Sequence, residues 1–316
     1  MTVSNPGFPS RFAAWRERRR TIAMQKWGQA YILVAPAIVL IALMMVYPVV
    51  QTLWFSVNKV QLPTFRTSFV ALDNFVRVLE DPETWPLFER TVIWIVGTVV
   101  VRMALGLGAA LIFNAKVRGT IWMRVLTVLP WTIPSVVSSN LWRWIVQTDV
   151  GVLNLEFKRW GLDGWAMNWL SDPDSALWTV IVAYSWGGYP FVMLLILARM
   201  QGIPEELYEA AKVDGANWWQ QFRYITVPSL KGVLGVALIL EIVSAINSFD
   251  TIMIMTGGGP ANATRIWGIE IYKRAFTNFD LGGASAMSVL MFVGALFFFV
   301  VYGIANRVVQ KREVTT

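Results

Sequence analysis

Apolar residues run along this chain in stretches long enough to cross a hydrocarbon layer, and most of its charge sits in the segments between them. A layer ~30 Å thick takes about 20 helical residues. Windows of that length fall at roughly 30–55, 91–113, 123–146, 177–198, 230–253 and 286–305, which predicts six transmembrane helices. The first window follows the basic stretch RFAAWRERRR and resembles a secretion signal in its flank. Its apolar run is longer than a signal's and no small-residue cleavage site follows, so an uncleaved first span is expected. The amount of apolar material agrees: 56% of 316 residues are hydrophobic, and the mean hydropathy is +0.52, more than one soluble core can hide.

Charge orients the spans. With the N-terminus on the cytoplasmic side, sixteen Lys and Arg fall on inside segments and nine on outside segments, while Arg102 and Arg143 fall within spans. Cytoplasmic loops carry the excess of positive charge in membrane proteins, so both termini are expected inside. The same bias accounts for the net charge of +7 without invoking nucleic acid. The expected fold class is therefore an all-α polytopic membrane protein. It has a basic N-terminal segment at 1–28, a six-helix transmembrane domain at 29–306 and a cytoplasmic tail at 307–316.

The chain has no cysteine and no histidine. That removes disulfides, thiolate and imidazole metal sites, cysteine nucleophiles and histidine proton relays. No metal site is expected, and a membrane-embedded enzyme would have to work with Asp, Glu, Ser or Lys. Nothing of the form GxxxxGK[ST] is present to cradle nucleotide phosphates. The run Thr256-Gly257-Gly258-Gly259-Pro260 lacks the lysine and the preceding buried strand of such a loop and reads as a turn.

Between the fourth and fifth windows lies a polar segment, EELYEAAKVDGANWWQQFRYITVP, on the cytoplasmic side of this topology. Pro204 suits the first position of a helix, and Glu205 and Glu206 put negative charge at its positive end. Leu207, Ala210 and Ala211 recur at helical spacing beside Glu209 and Lys212, predicting a short amphipathic helix over about 203–215. Gly215 permits the reversal that ends it, and a second helix then leads through Trp218 and Trp219 to Pro228. Such a helix either anchors a loop at the interface or enters a partner's groove, where a carboxylate can pair with a cation.

Glu209-Ala210-Ala211, Gly215 and Ile225-Thr226-Val227-Pro228 resemble the EAA motif of permease subunits in bacterial binding-protein-dependent ABC importers, with Val227 where leucine is usual. The flanking GGYPFVMLLILARMQGIPEELYEAAKVDGA and NSFDTIMIMTGGGPANAT are similar to the carbohydrate-uptake branch, that of the maltose and glycerol-phosphate permeases. The resemblance implies a multi-pass protein of the bacterial plasma membrane. Its partners would be a second, homologous permease, a cytoplasmic ATPase dimer that binds ATP and magnesium, and an extracytoplasmic solute-binding protein. This chain would itself carry no cofactor. The helix at Glu205, Glu206, Glu209, Ala210, Ala211, Asp214 and Gly215 would be the coupling helix that docks on the ATPase, and the Gly257–Gly259 run would lie near the mouth of the pathway. The expected substrate is a sugar or oligosaccharide, or alternatively a phosphorylated or otherwise anionic sugar derivative. A membrane enzyme and a self-sufficient carrier are the rival classes.

Polar groups at membrane depth are costly and mark candidate pathways. Glu241, Ser244, Ala245 and Ser248 fall at i, i+3, i+4 and i+7, one stripe on an apolar helix, facing either a watery cavity or a tightly packed neighbour. Tyr184, Trp186, Gly187, Gly188, Tyr189, Pro190 and Phe191 are expected to interrupt the fourth span. The resemblance adds that sugar contacts in the maltose permease come from positions matching Tyr184, Gly187, Gly188, Phe191 and the four stripe residues. Arg102, near the middle of the second span, needs a partner: Glu241, an anionic group on the solute, or another structural ion pair. Trp27, Trp122, Trp142, Trp144, Trp169 and Trp178 read as an interfacial belt, and Asn262-Ala263-Thr264 as a chance sequon.

Overall fold

The computed structural model describes residues 31–62, 64, 66–115 and 120–315. In chain order its helices are α1 (Tyr31–Ser56), α2 (Asp73–Glu80), α3 (Thr84–Asn114), α4 (Thr120–Thr132), α5 (Ser135–Ile145), α6 (Val152–Arg159), α7 (Pro173–Gln201), α8 (Glu205–Val213), α9 (Trp218–Ile246), α10 (Asp250–Met255), α11 (Trp267–Tyr272) and α12 (Leu281–Thr315). An antiparallel hairpin, β1 (Asn58–Gln61) and β2 (Arg66–Phe69), follows α1, with Lys59 opposite Ser68. By length and composition α1, α3, α7, α9 and α12 can each cross a membrane.

The third predicted window is two helices. Pro134 has no N–H to continue the ladder and holds an extended ψ of 140°, so α4 ends at Thr132 and α5 begins at Ser135. The fifth window also breaks: α9 ends at Ile246, and α10 starts afresh at Asp250. The fourth behaves the other way. Residues 184–191 were expected to interrupt it, yet α7 runs unbroken with Pro190 inside. One lost hydrogen bond at a buried proline is tolerated where neighbouring helices enclose the site. Where a proline follows a free turn, the backbone widens instead: π-helical turns at Ala42–Val46 and Phe222–Thr226 each end two residues before a proline, Pro48 and Pro228.

The core is the bundle of α3, α7 and α9. Glycines let α3 and α7 approach closely: a Cβ on Gly106 would lie 2.6 Å from Val192 Cγ1, and one on Gly97 would lie 2.9 Å from Ile181 Cδ1. Packing contacts, rather than removal from water, hold such helices in lipid. They form two clusters, one around Trp94, Ile181, Ala245 and Ile252, the other around Ala110, Val192, Ile196 and Leu230. Arg102 lies on α3 between Trp94 and Ala110, so the two apolar clusters flank a charged layer. A third cluster joins Val78 of α2, Leu87 of α3, Trp267 of α11 and Met287 of α12. α1 packs against α12 and leaves its apolar side chains outward, as a lipid-facing helix does.

Candidate functional site

Arg102 donates from Nη1 to Glu241 Oε2 of α9 at 2.7 Å, and both side chains are buried. The same nitrogen reaches Ser244 Oγ at 3.3 Å, while Nη2 donates to the Tyr184 carbonyl of α7 at 2.8 Å. The guanidinium carbon also lies 3.8 Å from the Tyr184 ring centroid, a cation–π contact. Tyr184 in turn places its hydroxyl 2.9 Å from Ser244 Oγ and donates to the Ser244 carbonyl at 3.0 Å. Gly188 makes room, because a Cβ there would fall 2.1 Å from Arg102 Cζ. Of the partners open to Arg102, Glu241 is the one the fold provides.

This network forms one wall of a cavity of about 440 Å³. Tyr184, Gly187, Gly188, Phe191, Glu241, Ser244 and Arg102, all singled out in the sequence, line it. Ala245 and Ser248 do not. Helix α9 stops at Ile246, and the indole Nε1 of Trp94 donates to Ser248 Oγ at 2.7 Å and to the Ala245 carbonyl at 3.1 Å, which turns both toward α3. The facing wall comes from residues not expected at the pathway: Trp131 of α4, Ser135, Ser138 and Ser139 of α5, Thr251 of α10, and Trp142 of α5, which was expected in the interfacial belt. Their signal was present in PSVVSSN, where Ser135, Ser138 and Ser139 share a helix face after Pro134. Trp142 meets Trp186 edge to face at 5.9 Å, and Trp169 donates to Asn154 Oδ1 at 2.7 Å, so both are half-buried and engaged within the chain. Trp122, Trp144 and Trp178 are exposed as expected of a belt, and Trp27 lies outside the described residues.

At one end of the bundle, α8 projects with no buried side chain. Its reversal uses Gly215 at φ +78°, a left-handed conformation that side chains disfavour. Asn217 and Gln220 then form a reciprocal capping box that starts α9. Tyr208 is its tether: the hydroxyl lies 2.9 Å from Thr226 Oγ1. Glu209 and Ala210 are exposed, as are Asp214 and Gly215.

At the opposite end the glycine run forms a turn, with Gly257 and Gly258 at positive φ and Thr264 Oγ1 donating to the Gly259 carbonyl at 2.7 Å. A second cavity, of about 690 Å³, lies between this turn and the end of α5, with Asn140, Arg143 and Gln147 in its lining. Beside the turn, buried Glu270 binds Arg265 at 3.2 Å and Arg274 at 2.8 Å, and Arg274 also binds Asp81. Burial works against the charge of Arg274, but its bonds to Glu270 and Asp81 outweigh that and raise its pKa above the usual arginine value.

Residues 102–312 match the family model described as binding-protein-dependent transport system inner membrane component. The chain is 36% identical to the trehalose/maltose transport system permease protein MalF of Thermococcus litoralis, over 86% of this chain and 91% of that one. It is 34% identical to the sulfoquinovosyl glycerol transport system permease protein SmoG of Agrobacterium fabrum, over 83% of this chain and 85% of that one. The fold is similar to a chain of a crystal structure of a bacterial ABC transporter that imports the acidic polysaccharide alginate. There the TM-score is 0.79 at 20% identity, covering 92% of this chain and 98% of that one.

Proposed function

The chain belongs to the family of binding-protein-dependent transport system inner membrane components, whose members are transport subunits and not enzymes, and on that premise we propose that it moves a sugar or oligosaccharide across the bacterial plasma membrane. The observation that carries the reading is the cavity between α7, α9 and α5. It combines hydroxyls, aromatic faces and a buried ion pair at the middle of the packed spans, where polar groups are otherwise costly. Relatives named for trehalose, maltose and sulfoquinovosyl glycerol support the substrate class.

In this reading α4 and α5 together make the third of six crossings, both termini are cytoplasmic, and residues 1–28 and 307–316 flank a transmembrane domain at 29–306. The loaded binding protein docks on the outer side, near the glycine turn. α8 is the coupling helix, seated in a groove of the ATPase, which binds ATP and magnesium. ATP-driven closure draws the coupling helices of this subunit and its partner permease together, and the cavity alternates its access. The rigid α3–α7–α9 bundle suits such a motion, because tightly packed helices move as a body.

Reconstituting this chain with its partner permease, ATPase and binding protein in liposomes tests the reading. Sugar uptake should require all of them together with ATP. Uptake by this chain alone, or ATP-driven uptake of some other class of solute with none of sugar, would sink it.

A further inference from the structure

The solute cavity holds charged groups, but their charges cancel. Arg102 and Glu241 are the charged residues in its lining among the described residues, and they neutralise each other at 2.7 Å. Arg102 commits Nη1 to Glu241 and Ser244 and Nη2 to Tyr184, while its buried Nε, packed beside Gly188, has no hydrogen-bond partner among the described residues. A carboxylated or sulfonated solute would add a net negative charge beside this neutral pair or compete with Glu241 for the guanidinium, and among the described residues no second cation lines the cavity to balance the surplus carboxylate. Stranding a charge at this depth costs more than exchanging one carboxylate for another returns. An uncharged solute leaves the pair intact.

Unused hydrogen-bonding capacity lies on the facing wall. Ser139 Oγ and Trp142 Nε1 are both buried and have no hydrogen-bond partner among the described residues. Ser139 is only 2% exposed. Most buried polar groups are paired, and an orphan of this kind costs stability. The two lie one turn apart on α5, at i and i+3, and both line the cavity, so they present a hydroxyl and an indole N–H from one helix face. Both atoms are shut off from solvent in this conformation, so a partner would arrive through the cavity. A hydroxyl serves both, since it accepts from the indole and either donates to or accepts from the serine. A carboxylate could accept from either group, but its charge would find no cation there.

We propose that the cavity selects an uncharged, hydroxyl-bearing solute and holds it from the α5 wall through Ser139 Oγ and Trp142 Nε1. This rests on the reading of the cavity as a sugar path and narrows it to neutral sugars, assigning two residues that neither the motif nor the hydropathy pattern indicates.

The test uses the whole complex, this chain with its partner permease and ATPase, in nanodiscs without the binding protein, so that the binding protein's own selectivity does not enter. Thermal unfolding is followed with millimolar maltose, trehalose, sucrose or cellobiose, and with maltobionate, cellobionate or digalacturonate. At least one neutral disaccharide should raise the melting temperature, and the acids should not. Ser139→Ala and Trp142→Phe should each weaken that response about five-fold or more in apparent Kd, the effect of losing one hydrogen bond. Without sugar, Ser139→Ala should melt no lower than wild type, because it removes an orphaned group. A structural role for the hydroxyl predicts the opposite. If Trp142→Phe does not assemble, Ser139→Ala decides alone. Acids that stabilise the wild type as well as neutral sugars would overturn the selectivity and leave the sugar path standing. Variants that respond to sugar like wild type would overturn the α5 assignment. No shift with any saccharide would overturn both the proposal and the sugar path.

Discussion

Arg102 and Glu209 are both charged residues on helices, and the chain treats them in opposite ways. Arg102 is enclosed by α7 and α9, which supply a carboxylate, a carbonyl, a hydroxyl and an aromatic face. Glu209 stands on α8 with no partner among the described residues, on a helix that buries no side chain. The first region balances its charge within one chain, as a buried charge at membrane depth requires. The second is a short helix of nine residues, too short to persist on propensity alone, held by a glycine reversal and the Tyr208–Thr226 contact. A helix kept rigid while its outer face stays bare is suited to a surface that another protein completes. The comparison predicts that changes around Arg102 act on the subunit's own stability, whereas changes on α8 act on the assembly.

The largest effect should come from Arg102→Ala. It leaves Glu241 buried without its cation, and breaking a buried pair from one side costs about 3–5 kcal/mol. The subunit should then be recovered in low yield or unfold early in a fluorescence-detected melting experiment. Replacing both partners, Arg102→Leu with Glu241→Leu, should restore most of that stability, since two apolar groups need no compensation in lipid. If the double replacement is as unstable as the single one, the pair is not the closed unit described here.

Next in size is a paired change at neighbouring glycines. An alanine Cβ at Gly188 would lie 2.1 Å from Arg102 Cζ, so Gly188→Ala must push the guanidinium off Tyr184 and Glu241, an overpacking cost of about 1–3 kcal/mol. At Gly187 the nearest atom to such a Cβ is the Pro130 carbonyl oxygen, 4.0 Å away. Gly187→Ala should therefore be neutral, or stabilising by up to about 1 kcal/mol, as alanine is in a helix interior. Measuring both melting temperatures checks this, and equal destabilisation at the two positions would mean that the network tolerates displacement more easily than its geometry implies.

The charged layer was legible in the sequence because Arg and Glu inside apolar windows stand out against any background, and two such groups of opposite sign invite pairing. So was α8, whose proline start, acidic first turn and glycine stop are local signals. What escaped was set by tertiary geometry. Hydropathy averages over Ile133 and Pro134, so one window became two helices. The i, i+3, i+4, i+7 stripe presumed a helix through Ser248, but α9 ends at Ile246, and Trp94 takes the last two stripe positions. Pro190 erred in the other direction, because a buried proline can stay within a helix when neighbours enclose it. Ser139 passed unnoticed and Trp142 was read as a belt residue, because serine and tryptophan are ordinary in a membrane chain. Their polar atoms are left without partners where α5 packs against α7 and α10, which no local signal reports.

The smallest effect on the subunit itself, and the sharpest test of the comparison, should come from Glu209→Lys. The side chain is exposed, lysine is as good a helix former as glutamate, and no hydrogen bond or ion pair among the described residues is lost, so stability should change by less than about 0.5 kcal/mol. In the assembled transporter the same substitution reverses a charge on the face proposed to enter the ATPase. If Glu209 faces a cation in that groove, the substitution turns an attraction into a repulsion, and like-charge contacts at interfaces cost several kcal/mol. The expected phenotype is a well-folded, membrane-inserted subunit whose sugar uptake and binding-protein-stimulated ATP hydrolysis fall at least ten-fold. Three measurements on one preparation decide it: melting temperature, uptake into liposomes and stimulated ATPase. Wild-type uptake with full stimulation would remove α8 from the coupling path. A melting temperature lowered as far as that of Arg102→Ala would show that α8 belongs to the subunit's own core after all, and the contrast between a closed site and an open one would collapse.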